Sequence, residues 1–139
     1  MNFAYVKPSG LAVAFVALLG LINLGRGGVH VFLPDSGAGV IGGFDLSQGG
    51  QAIIFMLAMV GVTQVGLGLM NLAAALRYRM LVLPVLWMNV VQQALAMWVF
   101  HVAKPPPVTP PGEVFNSILA VVILAAAVVE TYGQSRRKA

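Results

Sequence analysis

The chain has 139 residues, 59% of them hydrophobic and 9% charged, with mean hydropathy +0.90 and a formal net charge of +4. Soluble domains carry about 25% charged residues, so a water-soluble fold is excluded and an all-α integral membrane protein is indicated, with no room for a soluble domain. Cysteine is absent, which excludes disulfides, thiolate metal sites, iron–sulfur ligation and thiol catalysis.

The chain opens on a short polar lead containing Lys7, and Pro8 suits the first turn of a helix. From Ser9 to Gly25 there is no charge; a polar stripe at steps of four, three and four (Leu19, Asn23, Arg26, His30) carries the helical pattern on to Leu33, where Pro34 stops it. No small-x-small cleavage site follows, so the segment reads as a retained first span, 9–33. Residues 34–50 hold six glycines and read as a loop, with a re-entrant segment as the alternative. Asp45-Leu46-Ser47-Gln48 resembles a helix cap for the second span.

The second span, 51–76, lacks Asp, Glu, Lys and Arg throughout. At about 1.5 Å per residue it is long enough for the roughly 30 Å hydrocarbon core. Gly61, Gln64, Gly68, Asn71 and Ala75 share one face of it. Glycines admit a close neighbour and buried amides need partners that lipid cannot supply, so this face must meet protein. Arg77-Tyr78-Arg79 makes a basic turn. The third span, 80–103, carries Asn89, Gln92, Gln93 and Ala96, with Trp87 and Trp98 near opposite ends as an aromatic belt would place them. A stiff connector with five prolines leads to the fourth span, 113–132, where Asn116, Ala120, Ile123, Ala127 and Glu130 align.

Four spans, each with one polar stripe at three-and-four spacing, are most simply arranged as a four-helix transmembrane bundle with the stripes inside. Lys7, Arg77, Arg79, Arg136, Arg137 and Lys138 fall on one side, against Arg26 and Lys104 on the other. The positive-inside rule then makes both termini cytoplasmic. The basic excess is thus a matter of topology, and nucleic acid is not an expected partner.

Depth sorts the polar groups. Gln64, Asn71, Asn89, Gln92, Gln93 and Glu130 form an intramembrane seam that serves either as interhelical glue or as the lining of a cavity. Glu130, at a helix end, can pair with Arg77 or Arg79. Asn23, Arg26, His30, Gln51, His101 and Asn116 gather at the outer end, beneath the loop that bears Asp35 and Asp45. A cation there is costly in lipid, and Asp35 or Asp45 could neutralise it; either Arg26 sits at the headgroups and His30 caps the helix end, or the cluster is an outward-facing mouth for an anionic or quinone-like head. The histidines and carboxylates have neither HxxxH nor HxH spacing, so no metal is expected. Gly66-x-Gly68 has no strand before it and is no nucleotide loop. No nucleophile–base pair, paired carboxylates or phosphate cradle is present, and the cofactor is unknown.

Gly20-Leu21-Ile22-Asn23 ahead of Pro34-Asp35, then Gly66-Leu67-Gly68-Leu69 leading to Arg77, resembles the DoxX-like group of small four-span bacterial membrane proteins. The basic pair typical of that group's first helix is not evident here. The resemblance covers most of the chain in architecture, transfers no site residues, and implies a bacterial inner-membrane protein whose role is either that of an accessory subunit of a redox complex or unknown.

Three function classes follow. The first is a small non-catalytic membrane subunit or scaffold, docked on other subunits of a membrane complex or on itself. The second is a lipid- or quinone-binding protein or small enzyme using the outer mouth. The third is a proton or small-solute conduit along Asn116, Gln64, Gln93, Asn89 and Glu130.

Overall fold

The computed structural model describes residues 6–138. Four helices, α1 (Gly10–Phe32), α2 (Gly50–Leu76), α3 (Val82–Trp98) and α4 (Glu113–Lys138), run alternately up and down, and there is no strand among the described residues. A 3₁₀ turn (Arg79–Leu81) leads into α3, and a π turn (Val99–Ala103) prolongs it. Each of the four continuous helical segments is long and apolar enough to cross a membrane.

Local chemistry sets most of the boundaries. Ser9 Oγ accepts from the Ala12 amide at 3.1 Å and caps α1. Leu33, the residue before Pro34, is extended (φ −71°, ψ 141°), and the helix ends there. The expected cap of α2 is not formed. Asp45 Oδ1 instead accepts from the Ser47 amide at 2.9 Å, a local turn. Gly49, at φ 70°, supplies the left-handed step after which α2 begins, and no side chain caps it. The fourth helix runs six residues past its expected end at 132. Glu130 explains this: its Oε1 accepts from Gln134 and Arg137 further along the same helix, both at 3.0 Å, which carries the helix through Gly133.

The α1–α2 hairpin is the tightest pairing, because glycines oppose glycines along it. A Cβ built on Gly20 would lie 3.0 Å from the Gly68 carbonyl oxygen, and one on Gly27 would lie 2.8 Å from that of Gly61. Backbone therefore packs on backbone, as small residues at helix contacts allow. The remaining core lies towards the Arg77–Arg79 turn, here called the turn end: Val16 and Leu19 from α1, Ala74 and Ala75 from α2, Val82 and Leu86 from α3, Ile123 and Ala127 from α4. Asn71 and Asn89 close this plug with two reciprocal amide bonds of 2.9 and 3.4 Å.

At the opposite end, the loop end, α3 has no buried residue beyond Asn89. The two hairpins part there. Residues 33–49 fold back over that end with Ser36, Gly37 and Ala38 buried, and no span-length segment lies among them.

Candidate functional site

The parting of the hairpins leaves two adjoining cavities. The deeper, about 320 Å³, is lined by Asn23 and Arg26 from α1, Thr63 and Gln64 from α2, Asn89, Gln92 and Gln93 from α3, and Glu113 and Asn116 from α4. Leu19 and Ile123 form its apolar floor. The second, about 410 Å³, lies under the 33–49 loop and is walled chiefly by Val29, Ile41, Phe44, Leu57 and Phe115. Arg26, Phe100, Glu113 and Asn116 border both and form a neck between them.

Arg26 is the dominant charge at this neck. Its Nη1 donates to Asn116 Oδ1 at 2.6 Å, and among the described residues it forms no ion pair. A guanidinium has five N–H donors, so a single amide leaves most of its capacity open towards the cavities. Gln93 Nε2 donates to the Asn116 carbonyl at 3.1 Å and fixes that strut against α3. Gln64 Oε1 is buried without a hydrogen-bond partner, the one such side-chain atom among the described residues. Leaving an acceptor unpaired typically costs about 1–3 kcal/mol, so it marks a place suited to a donor from a ligand or water.

Glu113 opens α4, where the helix dipole favours a carboxylate. Its Oε1 accepts from Ser117 Oγ at 2.6 Å and from His101 Nε2 at 2.9 Å. The carboxylate is buried while His101 is exposed, so the contact ties the π turn of α3 to the start of α4 across the proline connector. The sequence placed His101 in the ligand-binding cluster and weighed Glu113 only as a metal ligand; a lone carboxylate opening an apolar run was the available signal.

The aspartates do not neutralise Arg26. Asp35 accepts from the amides of Gly37 (2.8 Å), Gly39 (3.0 Å) and Val40 (2.8 Å), and these bonds, the Val40 one foremost, hold its carboxyl below the usual range. Asp45 is likewise lowered by the Ser47 amide and hydroxyl. Short-range backbone donors reach these side chains before a cation on the helix can. His30 Nδ1 donates to the Ser36 carbonyl at 2.7 Å, pinning the loop to α1, and it borders the outer cavity.

Of the residues marked in the sequence, Asn23, Arg26, Gln64, Asn89, Gln92, Gln93 and Asn116 line the deeper cavity, and His30 lines the outer one. Asn23 is also tied down locally, Nδ2 donating to the Leu19 carbonyl at 3.0 Å. Gln51 is exposed on a separate shallow depression beside Leu46 and Ile54. Asn71 belongs to the amide pair below the cavity. Glu130 lies at the turn end and takes Ser9 and Arg137, not Arg77 or Arg79, as partners. Among the described residues, no three His, Asp or Glu side chains converge where they could hold a metal ion.

The chain matches no protein-family model, no curated protein and no solved structure. The chemistry of the site therefore carries the functional reading.

Proposed function

We propose that this chain is a membrane-embedded binding protein that holds the anionic or carbonyl head of a small molecule at Arg26. The observation that carries the reading is the neck itself: a guanidinium bordering two cavities, braced by one neutral amide, with an unpaired Gln64 oxygen in the same chamber. Arg26 supplies charge, Asn116 and Gln93 hold it in place, and Gln64 Oε1, an acceptor, takes a donor from water beside the head, since a carboxylate or carbonyl has none to give. In this reading both termini and the Arg77–Arg79 turn are cytoplasmic, and the cavities open to the outside, as the distribution of basic residues supports. The DoxX-like resemblance supports a bacterial inner membrane.

A dead-ended site suits the interior better than a conduit. Between the cavity floor and Glu130 stand Val16, Val82, Leu86 and Ala127, all fully buried and apolar. A proton or solute path along the polar seam is interrupted there.

The scaffold reading has one observation in its favour. Gln92, on the rim of the deeper cavity, is also exposed, and another helix seated against that rim would give its amide a partner. Purification in mild detergent followed by native mass spectrometry separates the two. A stoichiometric small-molecule adduct on the isolated chain is expected. Co-purified protein subunits with no adduct would overturn the binding reading in favour of an accessory subunit.

A further inference from the structure

The two cavities differ in chemistry in a direction that narrows the ligand. The deeper chamber has nine polar or charged residues among its seventeen, whereas the outer one has four among fifteen, and those four are His30 and three of the neck residues. Polarity therefore increases towards the middle of the bundle. A bilayer lipid has the opposite order, its head at the surface and its chains towards the middle. Its head would occupy the chamber walled by Ile41, Phe44 and Phe115, and its chains would face the amides of Gln64 and Gln93.

The neck narrows the head group as well. Arg26 and Glu113 border the same passage without pairing to each other, so an anionic head is attracted by the one and repelled by the other and must face the guanidinium. A single carboxylate can face the guanidinium, where a planar fork of donors matches it. The loop roofs the outer cavity on one side: His30 bonds Ser36, and Asp35 gathers three amides, so the roof is a formed turn over a space of about 410 Å³, which suits a compact group.

We infer that the site takes a compact hydrophobic carboxylic acid, seated carboxylate-first at the Arg26–Asn116 neck with its apolar body under the 33–49 loop between Phe44 and Phe115. This rests on the binding reading above and adds to it the class and direction of the ligand. Phe100, on the π turn and bordering both chambers, flanks the junction between head and body.

The test is direct binding to the full chain in detergent, with 4-phenylbutanoate as probe and 4-phenylbutanol as its neutral counterpart. Saturable binding of the acid below about 1 mM is expected. The alcohol should bind at least about tenfold more weakly, the ratio expected for one charge-assisted contact. Phe44→Ala should weaken the acid about threefold to tenfold, and dioleoyl phosphatidylglycerol should not displace it. Equal binding of acid and alcohol would overturn the inference, as would displacement by the lipid. The alcohol comparison needs no variant, so it holds even if a substitution fails to fold. If the isolated chain carries a native adduct yet the acid does not bind, the ligand class is wrong and the binding reading stands. If no adduct is present and neither probe binds, both fail.

Discussion

Gly27 and Gly61 face each other across the α1–α2 hairpin so closely that a Cβ on either would meet the other's carbonyl oxygen, at 2.8 and 2.9 Å. Seven residues further along α2, Gly68 repeats the contact with Gly20, at 2.9 Å. The hairpin is therefore a rigid plate of touching backbones, and α3 and α4 diverge from it at the loop end to leave the cavities.

Opposite effects of one methyl group follow from this plate. Gly61→Ala places its Cβ against backbone and His30 Cβ, whereas a Cβ on Gly66 has nothing within 4 Å. Overpacking should cost Gly61→Ala about 1–3 kcal/mol. Gly66→Ala should gain from helix propensity, by up to about 1 kcal/mol. Thermal melts in detergent should therefore move down for the first and up for the second. Equal shifts would mean that the helices are not seated glycine to glycine.

A loop roof tied by Asp35 should respond to acid. Because its folded carboxyl is held below the ordinary value, the turn is favoured above the usual Asp range and loses that contribution as pH falls through the folded value. The amide resonances of Gly37, Gly39 and Val40 should titrate together with a midpoint below about 3.9, the unperturbed Asp value. Asp35→Asn should abolish the titration. A midpoint at or above the unperturbed value would show that these amides do not hold the carboxylate.

Much of the scaffold was legible because apolar helices long enough to cross a membrane obey simple rules of length and charge. The stripe on α2 was readable from spacing alone, since only small or amide residues interrupt its apolar run, and Gly61, Gly68, Asn71 and Ala75 are all buried. The capping of α2 was misjudged because Asp45 and Ser47 satisfy each other locally two residues before Gly49 turns the chain. The site was half legible. Arg26, Asn116 and the glutamines were marked by polarity, but nothing in the spacing shows that the hairpins diverge at one end, which is what turns a polar seam into a cavity. Gln51 and Asn71 share that polarity and lie outside it. Glu113 was masked by its place at a helix start, where a carboxylate has an ordinary structural use.

Orientation is open to a labelling measurement. Single cysteines at Val40 and Val108, both exposed at the loop end, should react with a membrane-impermeant thiol reagent in intact cells. A cysteine at Tyr78, in the basic turn, should react only after permeabilisation. The reverse pattern would put the cavities on the cytoplasmic side and remove the outward-facing mouth.

The role of Arg26 as anchor is tested most directly by the fraction of folded protein that keeps its small-molecule adduct after Arg26→Gln. Gln keeps a polar group beside Asn116 but removes the charge, so the ligand-free protein should melt within a few degrees of the unsubstituted one. A charge-assisted hydrogen bond contributes about 1.5–3 kcal/mol, so affinity should fall by about ten- to a hundredfold. Native mass spectrometry, normalised to folded protein, should then show the adduct largely lost in Arg26→Gln and stoichiometric in the unsubstituted chain. Equal occupancy in the two proteins would contradict a binding role for Arg26 and leave it a structural strut to Asn116.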